Sequence, residues 1–209
     1  MTIQAIVFDI GGVLEITPRF GITDSWEEKL GLGKGEIDRR CMEIWKAGSI
    51  GTISEQDVHQ GIGETLGWDE PRVNAFMADI WREYLGTLNG ELAGYFRTLH
   101  QGPYQTAIIS NSFVGARERE EELYRFSEMT EFIVYSHEAG VSKPNPRIYE
   151  LACERLGVRP EEMIFLDDAE ACVTGAAELG IQAIRFEDNA QAIAAIDAVL
   201  WQHGPSRRF

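Results

Sequence analysis

Cysteine is scarce in this 209-residue chain, and its three copies lie far apart. Cys41, Cys153 and Cys172 form no C-x-x-C pair, and no histidine stands at metal-ligand spacing from them. An odd, scattered set of cysteines argues against both a disulfide framework and a zinc site. We therefore interpret all three as reduced residues that pack in the interior.

Positive charge is also in short supply. The chain has 19 lysines and arginines against 34 aspartates and glutamates, which gives a formal net charge of −15. A field of this sign repels phosphate backbones and anionic lipids, so we expect neither nucleic acid nor a membrane as a partner. A phosphorylated ligand would need a local lysine, backbone N–H groups or a bound cation to overcome this field.

Long apolar runs are missing as well, because no stretch reaches the roughly 18 residues of a membrane-spanning helix. The N-terminus lacks the basic stretch and apolar core of a signal peptide, so we expect a cytoplasmic protein. With 44% hydrophobic and 25% charged residues, the composition is that of an ordinary globular protein, which excludes intrinsic disorder.

Five short runs of β-branched and aromatic residues are present, and each predicts a buried strand. They span residues 3–8, 105–109, 132–135, 163–166 and 182–186. Stretches with helical periodicity follow most of them, at 115–126, 145–156, 172–179 and 189–201. This alternation predicts an α/β protein with a parallel sheet between two layers of helices, and residues 203–209 are expected to form a frayed tail.

The connection between the first two predicted strands is too long for a single helix, because about 95 residues separate them. Amphipathic helices are predicted within it at residues 24–32, 36–47, 54–66 and 70–85, followed by a helix at 89–100 that returns the chain to the sheet. Ser54 and Asp57 match a capping-box start for the third of these helices. Four of the five tryptophans lie in the insertion, which predicts a small helical domain with its own core.

Polar residues follow the predicted strands at the points where the strands end. Asp9 follows the first strand, Ser110 and Asn111 end the second, and Asp167–Asp168 end the fourth. Lys143 lies in the loop after the third. Ligands bind beyond the carboxyl ends of strands in open parallel sheets, so these residues are expected to share one crevice. Carboxylates there would suit Mg²⁺, while Ser110, the Asn111 backbone and Lys143 would supply donors to a phosphate.

These residues also form four motifs in a recognisable order. The first is Val7-Phe8-Asp9-Ile10-Gly11-Gly12-Val13-Leu14, the second Ile108-Ile109-Ser110-Asn111, the third Lys143-Pro144-Asn145-Pro146-Arg147-Ile148-Tyr149, and the fourth Ile164-Phe165-Leu166-Asp167-Asp168. Together they resemble the haloacid dehalogenase-like hydrolase superfamily, with an α-helical cap inserted after the first motif. The resemblance covers essentially the whole chain.

The resemblance implies an architecture and a set of roles. It implies a Rossmann-like three-layer core from residues 1–14 and 88–209 and a helical cap domain from residues 15–87. It makes Asp9 the nucleophile, and it assigns Lys143, Ser110 and Asn111 to the phosphoryl group. Asp9, Asp168 and the backbone carbonyl of Gly11 would bind Mg²⁺, with Asp167 beside them.

Gly11 departs from the family pattern. Phosphatases of this family usually carry a second aspartate at this position, where it protonates the leaving group and later activates water. Glycine has no side chain for either task, although its carbonyl can still bind a metal. What replaces the missing acid is left open by the sequence.

Three functions are compatible with these residues. The first is a Mg²⁺-dependent phosphatase that acts on a small phosphorylated metabolite through an aspartyl-phosphate. The second is a 2-haloacid dehalogenase that uses the same aspartate, although by resemblance such enzymes carry a tyrosine in place of Gly11 and need no metal-binding carboxylate at Asp168. The third is a binding or regulatory protein with little activity. The substrate, the cap residues that contact it, and the choice between monomer and homodimer are not decided by the sequence.

Overall fold

A computed structural model of the chain describes residues 2–18 and 21–203. Within them the chain forms the strands β1 (Ala5–Phe8), β2 (Glu15–Ile16), β3 (Thr87–Leu88), β4 (Gln105–Ser110), β5 (Phe132–Tyr135), β6 (Met163–Asp167) and β7 (Gln182–Arg185). Five of these strands form one sheet in the order β5-β4-β1-β6-β7, and every neighbouring pair is parallel. The predicted parallel five-stranded sheet is therefore confirmed.

The helices of the described residues fall into two groups. Four lie between β2 and β3, and we call them the inserted helices: α1 (Ile22–Leu30), α2 (Glu36–Ser49), α3 (Glu55–Leu66) and α4 (Glu70–Tyr84). The others belong to the sheet: α5 (Gly90–His100), α6 (Ala116–Tyr124), the single turn α7 (Ser136–Ala139), α8 (Pro146–Leu156), α9 (Glu170–Glu178) and α10 (Asn189–His203). Two short 3₁₀ turns, Phe126–Glu128 and Pro160–Glu162, precede β5 and β6.

The sheet is covered on both faces, as its continuous apolar strands predict. Side chains of β1 alternate between two clusters: Phe8 packs with residues of α5 and α10, whereas Val7 packs with residues of α8 and α9. Both side chains are completely buried. The three-layer core thus follows from strands that are apolar on both sides.

A separate apolar cluster holds the inserted helices together. Phe76 is fully buried, and the rings of Trp26, Trp45 and Trp68 surround it at centroid distances of 5.4–6.4 Å. The predicted start of α3 is confirmed, because Ser54 and Asp57 form a reciprocal capping box. A cap of this kind stabilises a helix by about 1 kcal/mol, so the sequence signal and the helix boundary coincide for a physical reason.

The chain enters and leaves the inserted helices through a two-stranded ribbon that the sequence analysis did not predict. β2 and β3 pair antiparallel, with Glu15 opposite Leu88 and Ile16 opposite Thr87. A two-residue strand is too short to show an alternating pattern, so no sequence signal marks it. The predicted domain limit 14/15 lies directly before β2, and the predicted limit 87/88 lies within β3.

The remaining expectations concern the cysteines, the tail and the membrane. All three cysteines are buried and unpaired, as expected. The prediction of a tail beginning at residue 203 was wrong for that residue, because His203 ends α10 and its carbonyl accepts a hydrogen bond from Ile3 N–H at 2.7 Å. Residues 204–209 lie outside the described residues. None of the helices in ranges 2–18 and 21–203 has the length and apolar character needed to cross a bilayer.

Candidate active site

The register of the sheet brings the motif residues to one edge. Phe8 of β1 pairs with Ile108 of β4 on one side and with Leu166 of β6 on the other. Asp9 therefore follows its strand at the same level as the ends of both neighbours. The three carboxylates of Asp9, Asp167 and Asp168 offer oxygens that all lie within 4.8 Å of one another.

Lys143 lies at the centre of this group, with its side chain buried. Its Nζ is 2.7 Å from Asp9 Oδ1 and 2.6 Å from Asp167 Oδ2, and it also donates to the carbonyl of Ile109 at 3.0 Å. These three contacts use all three N–H bonds of the ammonium group. Lys143 can thus bond to a phosphate oxygen only by releasing one of these partners, although its charge acts on the crevice in either case.

The charged groups of this site shift one another's pKa values. Burial raises the pKa of Asp9 to about 7, although the positive charge of Lys143 opposes this change and the negative charge of Asp167 adds to it. Burial disfavours the Lys143 ammonium, but Asp9 and Asp167 hold its pKa above the usual value. Burial and then the charge of Asp167 raise the pKa of Asp168. Three carboxylates facing one ammonium leave an excess of negative charge that suits a divalent cation.

The two adjacent aspartates differ in what they contact. Asp167 is completely buried; one oxygen binds Lys143 and the other accepts the backbone N–H of Ala169 at 2.8 Å. Asp168 is exposed to the crevice, and among the described residues the hydrogen-bond donor to its carboxylate is its own backbone N–H. The geometry thus makes Asp167 a positioning residue for Lys143 and leaves Asp168 available as a ligand.

The two glycines after Asp9 differ in their surroundings. A Cβ built on Gly12 would lie 2.5 Å from Asp168 Oδ2, and Gly12 has φ of 76°, so both the close approach and the backbone require glycine. A Cβ built on Gly11 would meet only Thr17 Oγ1, at 3.9 Å, and Gly11 lies outside the left-handed region. Nothing in the described backbone thus forces a glycine at position 11.

The Asn111 side chain links the loop after β4 to the loop that carries Lys143. Its side-chain amide donates to the Lys143 carbonyl at 2.9 Å, and its side-chain oxygen accepts the Lys143 N–H at 2.7 Å. Both ends of the amide are therefore used to hold Lys143, which leaves the backbone of Asn111 rather than its side chain for a ligand. The Ser110 side chain is buried beside it, and its only hydrogen bond in the described structure is a long one, 3.5 Å to the Asn111 carbonyl.

The structure brings together the five predicted side chains of the site and the backbone of Gly11, and it adds contacts that the sequence analysis missed. The close pairing of Asp167 with Lys143, the donation from Lys143 to Ile109, and the approach of Asp168 to Gly12 depend on strand register and loop path. Of these contacts, only the approach of Asp168 to Gly12 has a signal in the sequence, because consecutive glycines after a strand indicate a close approach of the backbone.

Beside Asp168 the site opens into a crevice of about 680 Å³. Gly11, Gly12 and Asp168 form its inner end, and Glu83, Glu187 and Asp188 are acidic residues along its walls. No lysine or arginine lines it among the described residues. We call it the acidic crevice.

Comparison with known proteins places these features in a family. A family model described as haloacid dehalogenase-like hydrolase matches residues 3–180. Bifunctional epoxide hydrolase 2 of Sus scrofa is 26% identical over 221 residues, which cover 95% of this chain but 39% of the pig protein. This chain thus spans well under half the length of that relative.

Smaller relatives point to two chemistries. The D-ribitol-5-phosphate phosphatase of Bacteroides thetaiotaomicron is 23% identical over 199 residues, covering 90% of this chain and 94% of that protein. The (S)-2-haloacid dehalogenase 1 of Pseudomonas sp. is 32% identical over 99 residues, covering 46% of this chain and 42% of that protein. Among solved structures, the magnesium complex of the HAD family enzyme bt-2542 from Bacteroides thetaiotaomicron superposes with a TM-score of 0.78 at 22% identity, covering 92% of this chain and 99% of that one. At such identity the superposition shows a shared fold.

Proposed function

This chain belongs to the haloacid dehalogenase-like hydrolase family, and from that premise we propose that it is a cytoplasmic, Mg²⁺-dependent phosphatase acting on a small phosphorylated metabolite. One observation carries the proposal: a buried lysine bonds to Asp9 and Asp167 while the ligand oxygens of these residues and of Asp168 lie within 4.8 Å of one another. A phosphate dianion needs both the lysine charge and a cation to approach so many carboxylates.

The donor set fits Mg²⁺. Asp9 and Asp168 would hold the cation through carboxylate oxygens, and the Gly11 carbonyl would complete the protein ligands. Hard oxygen ligands with positions left for water and phosphate are what Mg²⁺ prefers. When bound, Mg²⁺ neutralises negative charge on the carboxylates and on the transferring phosphoryl group.

In the first step the Asp9 carboxylate attacks phosphorus. Its Oδ1 accepts hydrogen bonds from Lys143 and from the Ile10 N–H at 2.7 Å, whereas Oδ2 has no hydrogen-bond donor among the described residues. A bond forms between a carboxylate oxygen of Asp9 and phosphorus, and the bond from phosphorus to the alcohol oxygen breaks. That oxygen leaves with the bonding pair and takes up a proton from solvent water.

In the second step water attacks phosphorus of the aspartyl-phosphate. The water oxygen bonds to phosphorus and gives a proton to solvent, the bond between phosphorus and Asp9 breaks, inorganic phosphate leaves, and the Asp9 carboxylate is regenerated. Lys143 stabilises the negative charge in both steps, and Ser110 and the backbone of Asn111 donate to the phosphoryl oxygens. No side chain at position 11 supplies or removes the proton, so the leaving group must depart with little help at that position.

We further propose that residues 15–87 act as a cap on the core of residues 1–14 and 88–209. Several bonds between the inserted helices and the core support this assignment. Arg119 of α6 forms an ion pair with Glu55 of α3 at 2.7 Å, and the Val114 N–H donates to the Gly48 carbonyl at 3.2 Å. These bonds lie on the side of the molecule that carries the β4 loop with Ser110 and Asn111.

A 2-haloacid dehalogenase is the second candidate, favoured by the matching dehalogenase sequences. Such an enzyme uses the same aspartate to displace halide from carbon and needs no metal. The exposed Asp168, which lies near Asp9 and faces the crevice, favours the phosphatase, because a metal-free reaction gives it no task.

The test is an assay of phosphate release from acetyl phosphate and p-nitrophenyl phosphate, and of halide release from 2-chloropropionate, each with Mg²⁺ and with EDTA. We expect phosphate release that needs Mg²⁺ and no halide release. Halide release that is indifferent to EDTA would replace the phosphatase with the dehalogenase. Trapping of a beryllofluoride adduct at Asp9 without turnover would support a binding or regulatory protein instead.

A further inference from the structure

A second cavity, of about 380 Å³, lies on the β4 side of the site, between the loop after β4 and the inserted helices. We call it the aromatic cavity. Its walls come from both parts of the chain: the inserted helices contribute Trp45, Met77, Ile80 and Trp81, and the loop contributes Asn111 and Phe113. Because Asn111 also clamps Lys143, the cavity begins next to the proposed phosphate site.

The chemistry of the aromatic cavity is opposite to that of the acidic crevice. No charged side chain lines it among the described residues. Four lining residues are polar, but their side chains hydrogen-bond to groups outside the cavity, which leaves its exposed surface almost entirely apolar: Ser49, Tyr84, Asn111 and Ser112. A polyhydroxylated group placed there would lose its hydrogen bonds to water and find few replacements, which is costly in free energy. An apolar group would gain from leaving water.

The walls of the aromatic cavity are already assembled. Phe113 packs edge-on against Trp45 and Trp81, with ring centroids 5.9 and 6.3 Å away. Its ring lies so close to Gly48 that an added Cβ there would be 2.3 Å from it. Arg119 stacks over the Trp81 ring at 4.2 Å. A pocket held by such contacts needs little reorganisation to receive a ligand.

The acidic crevice is the poorer place for the organic part of the substrate. Glu83, Glu187 and Asp188 give it a negative potential that favours entry of a cation and water rather than of a phosphorylated anion. The two openings thus divide the reactants, with the cation and water on the Asp168 side and the organic group on the Asn111 side.

We infer that the aromatic cavity receives the apolar group of a phosphate monoester, so that the substrate class is aryl or alkyl phosphates rather than sugar or polyol phosphates. The inference rests on the proposed phosphatase function and names its substrate class. It separates this chain from a phosphatase whose substrate is a sugar alcohol phosphate.

The test is a series of phenyl, 4-ethylphenyl and 4-butylphenyl phosphates with Mg²⁺, compared with ribitol 5-phosphate and glycerol 3-phosphate. The aryl leaving groups have nearly the same pKa, so their chemistry is constant and only burial differs. Each buried methylene is expected to raise kcat/KM about fourfold, which gives about 250-fold from phenyl to 4-butylphenyl for the four added carbons. A flat or falling series, or a higher kcat/KM for either polyol phosphate than for 4-butylphenyl phosphate, would overturn the inference.

Acetyl phosphate, which is too small to reach far into the cavity, separates this outcome from failure of the proposed function. If the enzyme does not hydrolyse acetyl phosphate or any aryl phosphate with Mg²⁺, the phosphatase proposal fails and the inference fails with it. If it hydrolyses acetyl phosphate but ignores aryl chain length, only the inference fails.

A substitution in the cavity wall tests whether the aromatic cavity causes the dependence of kcat/KM on chain length. Ile80→Asn introduces an amide into the cavity wall and should lower the ratio of kcat/KM for 4-butylphenyl to phenyl phosphate at least tenfold. Met42→Gln is the matched control, because Met42 is an exposed apolar residue of α2, 59% accessible, and it is not part of the cavity wall. An unchanged ratio in Ile80→Asn would overturn the assignment. If Ile80→Asn does not fold, the wild-type series alone decides.

Discussion

Two of the regions that bury carboxylates in this molecule, the active site and the base of the inserted helices, differ in the partners they give them. In the candidate active site, Asp9 and Asp167 share the buried ammonium of Lys143. At the junction, by which we mean the β2–β3 ribbon and the face of α6 beside it, Glu15 and Glu120 are buried without a cation in hydrogen-bond contact among the described residues.

Neutral donors satisfy the junction carboxylates. Glu15 accepts the Gly86 N–H at 2.7 Å and the Thr17 hydroxyl at 3.0 Å, and Glu120 accepts the Tyr135 hydroxyl at 2.7 Å. Burial raises the pKa of both glutamates to about 7, and their hydrogen bonds oppose this only in part.

Burial alone therefore does not indicate a reactive carboxylate, since both regions bury acids and perturb their pKa values. In the junction the donors are neutral and the arrangement ties two segments together. In the candidate active site the buried ammonium of Lys143 lies among several carboxylates, one of which is exposed to solvent. That combination is costly for stability and is more typical of a functional site.

The largest effect is expected from Asp9→Asn. The amide keeps the shape but removes the nucleophile and a metal ligand, so Mg²⁺-dependent phosphate release should fall more than about a thousandfold. Glu178→Gln, on the exposed end of α9, makes the same chemical change and should leave kcat unaltered. Circular dichroism checks that both variants fold. Residual turnover above about a hundredth of wild type would show that Asp9 is not the nucleophile.

Lys143→Ala should affect both activity and stability. It leaves two buried carboxylates facing each other without their cation, which is expected to cost about 3–5 kcal/mol of unfolding free energy. Phosphate release should fall about a hundredfold to a thousandfold, because the main positive charge of the site is gone. Urea unfolding and steady-state kinetics measure the two effects. Wild-type kinetics in a folded Lys143→Ala protein would mean that the crevice has been assigned wrongly.

Gly11→Asp adds a carboxylate on the crevice side instead of removing one. The space around Gly11 and its backbone conformation both admit a side chain. Wild-type kcat/KM should fall steeply as the leaving-group pKa rises, and the variant should flatten this dependence by accelerating poor leaving groups about a hundredfold. Gly12→Asp is the contrasting variant, since its Cβ would collide with Asp168. A Brønsted series that is already flat in the wild type would show that another group supplies the proton.

Glu120→Gln tests the junction, and its effect is on stability. Because burial raises the pKa of Glu120 from its ordinary value of 4.5 to about 7, the folded protein holds this proton more tightly than the unfolded chain. Wild-type stability should therefore fall as the pH rises from about 5 to above 7. Glutamine does not titrate, so the variant should gain about 1–3 kcal/mol over wild type at pH 8 but not at pH 5.

Urea unfolding at the two pH values measures the difference. Glu118→Gln changes an exposed residue of the same helix but retains Glu120, so it should keep the pH dependence of wild type. Equal stabilities of wild type and Glu120→Gln at both values would mean that Glu120 is charged in the folded protein throughout, and the contrast between the two regions would weaken.

The sequence by itself determined the architecture and predicted which polar residues meet at one edge of the sheet. Continuous apolar strands followed by helical periodicity can form only a sheet buried on both faces, and the polar residues at the strand ends then meet at one edge because parallel strands end together. Asp9, Ser110, Asn111, Lys143 and Asp168 were predicted in this way, and the start of α3 followed from the local chemistry of Ser54 and Asp57.

Only the tertiary structure decided what each group contacts. Asp167 and Asp168 are adjacent and chemically identical in the sequence, yet one is sealed against Lys143 and the other faces the crevice, because alternate residues at a strand end point to different sides. The ribbon β2–β3, the junction glutamates and the aromatic cavity join residues tens of positions apart. Local propensity carries no record of such contacts, since packing of distant segments creates them.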